Sequence, residues 1–428
     1  MTTTSIWTDL ELVNAWLRPA GYVGAVRDRV EAVRSSALTL ASDLAGGSTD
    51  SSLTYVAQKV LTDPELLRRL PGHAGLPMGA DPTFSNSVHV QSGLDILATE
   101  LAALAGDDRE VGLPPRAQLL LPLSGLAVDL PADGALRLTA GAGGLRVSTS
   151  EQQVTLPVAD DGRSLVAQPG TTAQPRVHAD QVTVEQHWDL LAAPVAEFLE
   201  PTEIIPASLT EEDRLTIYRA IRLLHLAAPA IHDELVRMPV SVIPLAPRPG
   251  VIRQSASLRQ IPGVVYTNLC DPFEVVDLIV HEHSHLKLAA LEADGPLMAR
   301  PAAETLAPWR KDRRTAQGLF HGIYVFHQVA QVFDAIFARW APSERGQTRS
   351  ALLRICVERG LRLLDEADPA LTPLGAGMAA HIGQDNAAGL ERLRHSSAGA
   401  VAWADKVVTE HLQQAGHPDS EGPWFLAE

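Results

Sequence analysis

The pentad His281-Glu282-His283-Ser284-His285 contains the residues most suited to chemistry in this chain. His281 and His285 are four residues apart, so on a helix their imidazoles project from one face and can share a metal ion. Glu282 lies about 100° around the helix from His281, where it can address a metal-bound water or a polar group of a ligand. The pattern predicts a metal site with Glu282 as its catalytic residue. The alternative is a buried polar seam of histidines, and His283 is expected to be a surface residue or a support for the ligands.

The residues around the pentad predict the helix that must position it. Asp271 can cap a helix, Pro272 suits its first position, and Gly295 suits the residue just beyond its end. We therefore expect a helix over residues 272–294. Val264 to Thr267 form a β-rich run, which predicts a strand that leads directly into this helix.

Two histidines leave a catalytic ion with too few protein ligands, so a third must come from another element. His321 lies 36 residues after His285, near the start of a long apolar stretch. Glu304 lies 19 residues after His285, a separation typical of zinc peptidases with a glutamate ligand. The sequence leaves both residues open as the third ligand. His225, His232 and His327 are expected to be core or surface residues.

Four cations lie between the two candidate third ligands, at Arg310, Lys311, Arg313 and Arg314, with Asp312 as the one anion among them. One interpretation is a solvated loop. The other is a carboxylate clamp, because the guanidinium fork can meet a small dicarboxylate through two parallel hydrogen bonds.

Composition excludes several classes of partner. The 428 residues are 46% apolar, which is enough for a sizeable core. The formal net charge of −16 makes binding to nucleic acid or to anionic lipid unfavourable. Two cysteines give no disulfide framework, and no apolar run reaches the length of a membrane helix. We therefore predict no nucleic-acid or membrane partner and a cytoplasmic location.

The pattern along the chain predicts a mainly α, α+β protein in three regions. Residues 1–110 form a helical N-terminal region, with apolar residues at helical spacing in 10–17, 23–44 and 94–104. Residues 111–188 form a β-rich module of short runs separated by turn signals. Residues 189–428 form a zincin-like helical metal-binding domain. Its further helices are expected from Thr210, from Thr315, over 350–365 and over 387–413.

Several of these motifs together resemble a known family. They are the pentad, Pro308-Trp309-Arg310, Arg314 and the run from Gly318 to Phe326. They are similar to the HExxH-motif peptide-modification family of ribosomally synthesised, post-translationally modified peptide biosynthesis. The resemblance covers about 250–330 and departs from the family pattern at Thr315, where the family has proline.

The resemblance implies an iron(II)- and 2-oxoglutarate-dependent dioxygenase that β-hydroxylates a residue of a precursor peptide with O₂. It implies that His281, His285 and His321 hold the iron, and that Arg310 or Arg314 holds the distal carboxylate of 2-oxoglutarate. Three neutral imidazoles would leave the iron more positive than the commoner site with a carboxylate ligand does.

Two other functions remain open from the sequence. In a zinc metallopeptidase, His281, His285 and Glu304 would hold Zn(II), and Glu282 would act as general base on a bound water. In a peptide-binding scaffold, the metal site would be structural.

Overall fold

The chain is described from a computed structural model, which covers residues 52–62, 88–184 and 210–415 with short gaps inside the last two ranges. Of the described residues, about 59% are helical and about 20% lie in strands. The expected mainly α, α+β class is therefore confirmed. The helices expected in 10–17 and 23–44 lie outside the described residues.

The first part of the described chain combines two helices with two antiparallel sheets. The helices are α1 (Ser52–Thr62) and α2 (Val88–Ala105). The strands are β1 (Arg109–Leu113), β2 (Gln118–Leu121), β3 (Leu126–Asp129), β4 (Leu136–Gly141), β5 (Gly144–Ser148), β6 (Gln153–Leu156) and β7 (Thr171–Ala173). One sheet has the order β1-β4-β5-β6 and the other β2-β3-β7. The expected β-rich texture is confirmed here.

Helix α2 shares a hydrophobic core with these strands. Ile96 and Ala102 are buried against inward-facing residues such as Leu138, Leu145 and Leu156. Side chains alternate between buried and more exposed along β4, as expected when one face of a strand is packed. The predicted boundary at residue 110 thus falls within β1, whose sheet shares this core with α2.

A five-stranded mixed sheet follows. Its members are β8 (Val177–Ala179), β9 (Val182–Val184), β10 (Ser241–Leu245), β11 (Ser255–Ala256) and β12 (Val264–Asn268), in the spatial order β11-β12-β10-β9-β8. Strand β10 runs parallel to β9 and β12, whereas β11 at the edge runs antiparallel to β12. The strand expected over 264–267 is confirmed as β12.

Helix α5 (Pro272–Glu292) carries the pentad and follows β12 closely. Asp271 Oδ1 accepts hydrogen bonds from the backbone N–H groups of Phe273 at 2.9 Å and Glu274 at 3.2 Å. These bonds satisfy two donors that a helix start leaves without a partner in the helix. The predicted cap is confirmed, and the described helix lies within the predicted range of 272–294.

Helices α3 (Glu211–Ala227) and α4 (Pro229–Arg237) precede α5 in the chain. Thr210 caps α3, and the side chains of Thr210 and Asp213 form a reciprocal capping box. Ile217, Ile221 and Leu224 are buried in the same core as Val276 and Ile279 of α5. The helix expected from Thr210 is confirmed.

A hairpin of β13 (Glu304–Ala307) and β14 (Arg310–Thr315) leads into α6 (Ala316–Phe337), whose N-cap is Thr315. The long buried helix expected here is confirmed. Trp309 of the hairpin turn lies against Gly322, where a Cβ would come within 2.1 Å of the indole Cζ2. Only glycine leaves room for this contact, which fixes the hairpin on the helix.

Three more helices complete the described chain, namely α7 (Glu344–Ala367), α8 (Pro373–Ser396) and α9 (Ala398–Gln414). The helix expected over 350–365 is confirmed within α7. The helical character expected over 387–413 is confirmed, and Ser397 divides this range between α8 and α9. Both flanking stretches are helical in pattern, so periodicity alone does not mark this break.

No helix among the described residues combines the length and the apolar character needed to cross a bilayer.

Candidate functional site

The three predicted histidine ligands occupy the partly exposed positions of two otherwise buried helical stretches. From Val275 to Leu288 in α5, every residue is buried except His281 and His285. From Leu319 to Ala330 in α6, every residue is buried except His321. Full burial of a polar ring is costly unless the ring forms hydrogen bonds. These three imidazoles are only partly buried, so a ligand can reach them. We call these residues the three-histidine cluster.

The rings of the three-histidine cluster lie next to one another. The ring centres of His281 and His285 are 5.0 Å apart, and those of His285 and His321 are 6.1 Å apart. Imidazoles that share one ion through nitrogen at about 2.1 Å have ring centres roughly 4.5–5.2 Å apart. The first pair is within this range, and the second would reach it after a shift of about 1 Å.

As they stand in the described ranges, no three histidine, cysteine, aspartate or glutamate side chains enclose an ion-sized point. The imidazole donor set of the three-histidine cluster nevertheless suits iron or zinc.

Glu282 is turned toward the edge strand of the mixed sheet. It is only 4% exposed, and its two carboxylate oxygens accept hydrogen bonds from the hydroxyls of Ser255 at 2.7 Å and Ser257 at 2.5 Å. The carboxylate therefore connects β11 to the helix that carries His281 and His285. The spacing of residues in the sequence could not predict these serine partners, because they precede Glu282 by more than 20 residues.

Glu292, the last residue of α5, was not among the site residues predicted from the sequence. Its Oε1 lies 2.8 Å from Nε2 of His321 and 2.9 Å from Nε2 of Gln317. A signal was present, because seven residues separate Glu292 from His285 and two helical turns bring it to the same face. The carboxylate thus joins α5 to α6 beside the three-histidine cluster.

The opposite side of α5 holds a buried group of charges. Lys287 Nζ lies 2.7 Å from Glu234 Oε2, and His283 Nε2 lies 3.4 Å from the same oxygen. Although burial opposes ionisation of both groups, their mutual attraction lowers the pKa of Glu234 and raises the pKa of Lys287. Burial lowers the pKa of His283. His283 thus contacts Glu234 on the side of α5 that faces away from the three-histidine cluster.

Glu304 lies away from the three-histidine cluster. Its side chain is 70% exposed, and its carboxylate lies 3.9 Å from the guanidinium of Arg313. Its backbone pairs with Thr315 across the hairpin. The structure therefore brings His321 to the pentad and leaves Glu304 on the surface.

Arg310 and Arg314 lie on one face of β14, on either side of Asp312. Arg310 Nε is 2.9 Å from Asp312 Oδ1, and Arg314 Nε is 3.2 Å from Asp312 Oδ2. Partial burial opposes ionisation of Asp312, but the bond from Arg310 and both positive charges hold its pKa below the usual value. Burial and the charge of Arg310 lower the pKa of Arg314. We call Arg310 and Arg314 the arginine pair.

The arginine pair is held near the start of α6. The backbone carbonyl of Arg310 accepts a hydrogen bond from His411 of α9 at 2.9 Å. Carbon atoms of Arg314 lie 3.8–3.9 Å from the point where Gly318 would carry a Cβ, one turn before His321. The cationic segment therefore lies in a strand and not in a loop, and the side chains of Arg310 and Arg313 are about half exposed.

His225, His232 and His327, which were expected to be core or surface residues, contact groups outside the three-histidine cluster. His225 and His232 contact each other across α3 and α4, with their Nδ1 atoms 3.3 Å apart. His327 is completely buried, and its Nδ1 is 3.8 Å from Asp385 Oδ2 of α8. Burial lowers the pKa of His327 to about 4.

Among known proteins, no family model matches the chain, and the search of curated proteins finds no match either.

Proposed function

We propose that this chain is an iron(II)- and 2-oxoglutarate-dependent oxygenase that β-hydroxylates a residue of a ribosomally made precursor peptide. The observation that carries the proposal is the exposure pattern of α5 and α6. Three histidines on two buried helical stretches are the residues that keep access to solvent, and their rings are neighbours. A core built only for stability has no need to place three imidazoles in this way.

His281, His285 and His321 would hold the iron through imidazole nitrogens, which are donors that suit this metal. When bound, iron(II) with 2-oxoglutarate and O₂ supplies the oxidising chemistry, in which a C–H bond becomes C–OH while 2-oxoglutarate becomes succinate and CO₂. The residues of this chain would orient the reactants and keep bulk water away. Phe326, whose ring centre lies 5.7 Å from that of His281, would form part of the apolar wall.

The arginine pair would hold the distal carboxylate of 2-oxoglutarate. Arg310 and Arg314 share a single carboxylate, that of Asp312, so the two guanidinium groups keep one net positive charge. The alternation of side chains in a strand places all three residues on one face. This arrangement supports recognition of a small dicarboxylate in an otherwise acidic protein.

The surroundings of Glu282 favour the oxygenase over the zinc peptidase. A general base must reach the attacking water, whereas both oxygens of Glu282 are bonded to serine hydroxyls. The glutamate ligand that the peptidase requires, Glu304, is exposed and paired with Arg313. We infer that Glu282 anchors the edge strand beside the metal.

The edge strand itself suits an extended peptide. Strand β11 runs antiparallel to β12 and, in the described part of the chain, has no strand on its outer side. A peptide could add there through main-chain hydrogen bonds, which give affinity without a fixed side-chain requirement. An antiparallel edge strand beside the pentad helix also supports the zincin-like arrangement that the sequence suggests.

The proposal is tested by metal analysis and cosubstrate turnover. The protein is purified anaerobically, loaded with iron(II), and supplied with 2-oxoglutarate and O₂ while succinate release is measured. We expect succinate formation that depends on iron and on His321, with a mass increase of one oxygen in peptides encoded near this chain. Cleavage of peptides with zinc and no turnover of 2-oxoglutarate would establish the peptidase instead.

A further inference from the structure

We infer that Glu292 positions the third metal ligand, by accepting the Nε2–H of His321 so that Nδ1 of that ring faces the metal. This inference rests on the metal site of the proposed function. The contact on which it depends is the 2.8 Å separation between His321 Nε2 and Glu292 Oε1.

The chemistry of the two groups fixes the direction of this bond. An ionised carboxylate can only accept hydrogen bonds, so the nitrogen that contacts it must carry the proton. A neutral imidazole has one protonated nitrogen, and the other keeps its lone pair. Because Nε2 of His321 donates to Glu292, this ring would bind a metal through Nδ1.

The position of Glu292 at the C-terminal end of α5 also supports a role at the metal. The C-terminal end of a helix carries partial negative charge, so a carboxylate there is unfavourable by about 0.3–1 kcal/mol. The last turn of α5 contains no basic residue to compensate for it. The partners of Glu292 that lie in α6 are His321 and Gln317, and both contact the same carboxylate oxygen. Glu292 is thus unfavourable for its own helix, yet it contacts His321, a predicted metal ligand, on the neighbouring helix. A role at the metal explains both features.

Glu292 also supplies a negative charge near a metal whose three imidazole ligands are neutral. Metal-bound histidines usually donate their other N–H to a carboxylate or a carbonyl, which fixes the ring and makes it a stronger ligand. Loss of such a partner typically lowers metal affinity by about 10- to 100-fold. The negative charge of Glu292 would reach the metal through the His321 ring.

The test compares Co(II) binding by the wild-type chain, Glu292→Gln, Glu292→Asp and Gln317→Ala. Co(II) is titrated into the metal-free proteins, its affinity is measured by competition with a chelator, and the absorption bands of the bound ion are recorded. Gln at 292 keeps an acceptor for Nε2–H but removes its charge. The Gln317 variant is the matched control, because it removes the other bond to the same oxygen and spares His321.

We expect Glu292→Gln to weaken Co(II) binding by about 10- to 100-fold, with band positions that show the same nitrogen ligands. Glu292→Asp should recover part of the loss, and Gln317→Ala should stay within about threefold of the wild-type chain. Equal affinity in wild-type and Glu292→Gln proteins would overturn the inference. A spectrum that shows a lost oxygen ligand would overturn it too, since Glu292 would then bind the metal itself.

The failure of this inference can be told apart from the failure of the proposed function. If the wild-type chain binds Co(II) through the histidines and Glu292→Gln weakens it, but 2-oxoglutarate is not consumed, the oxygenase proposal fails and the role of Glu292 stands. If 2-oxoglutarate is consumed and Glu292→Gln binds metal as tightly as wild type, the role of Glu292 fails alone. Unfolding midpoints of the metal-free variants check that all four proteins are folded.

Discussion

The ammonium group of Lys287 lies 2.7 Å from the carboxylate of Glu234, and both side chains are almost completely buried. Lys287 follows His285 by two residues, which is about 200° around the helix. The pair therefore joins α4 to the side of α5 that faces away from the three-histidine cluster, where it fixes the helix that carries two of the predicted ligands.

Breaking this pair should destabilise the protein strongly. Lys287→Met leaves the Glu234 carboxylate buried without its ammonium partner, so we expect a loss of about 3–5 kcal/mol in the free energy of unfolding. The double variant Lys287→Met/Glu234→Leu should be more stable than either single variant, because no charge remains uncompensated. Urea unfolding measures these values, and strictly additive losses would contradict the prediction.

His321 and Glu304 should differ in their effect on metal content. We expect His321→Ala to abolish stoichiometric iron binding and Glu304→Ala to preserve it, because Glu304 is exposed and bonded within its own hairpin. Elemental analysis after anaerobic loading gives the answer. The reverse pattern would transfer the ligand role to Glu304 and revive the peptidase hypothesis.

The arginine pair should control the requirement for 2-oxoglutarate. A hydrogen bond to a charged group contributes about 1.5–3 kcal/mol, so Arg314→Gln and Arg310→Gln should each raise KM for 2-oxoglutarate by roughly 10- to 100-fold. Arg313→Gln is the matched control, because Arg313 lies on the other face of β14 and contacts Glu304. An unchanged KM in both Arg310 and Arg314 variants would exclude the clamp.

His327 should make the stability depend on pH below neutrality. Its pKa is about 4 in the folded protein, against an ordinary histidine value of 6.5, so between these values the unfolded chain binds a proton that the folded chain does not. Unfolding is therefore favoured as pH falls through this window, by up to about 1.4 kcal/mol per pH unit. We expect His327→Gln to flatten the dependence, measured by urea midpoints from pH 7 to pH 5. Asp385, Arg354 and His381 face the ring and are unchanged in the variant. Identical slopes would show that His327 does not titrate in this way.

Gly322 should not tolerate a side chain. Alanine there would place Cβ 2.1 Å from Trp309 Cζ2, and overpacking of this kind costs about 1–3 kcal/mol or more. Gly383→Ala is the control, since its Cβ would meet only Leu361 Cδ1 at 3.6 Å and alanine is the better helix former. Thermal unfolding should therefore shift downward for Gly322→Ala and stay level or rise for Gly383→Ala. A neutral Gly322→Ala would show that the hairpin can move away from α6.

Local signals in the sequence determined the elements that carry the site. Asp271 and Pro272 marked the start of α5, Thr315 began α6, and the β-branched run at 264–267 marked β12. Each of these signals acts within a few residues of where it is read, through a cap or a backbone preference. The spacing of His281 and His285 likewise placed two rings on one face, because helical geometry relates residues four apart.

Tertiary structure alone decided what meets those elements. The choice between His321 and Glu304 depends on how β13, β14 and α6 pack beside α5, and the periodicity of either segment does not contain that information. The serine partners of Glu282 and the pairing of Glu292 with His321 join residues 25 to 29 positions apart in the chain. Contacts of this kind form only when separate elements bury their apolar faces together, since that burial sets which polar side chains are left at the same edge.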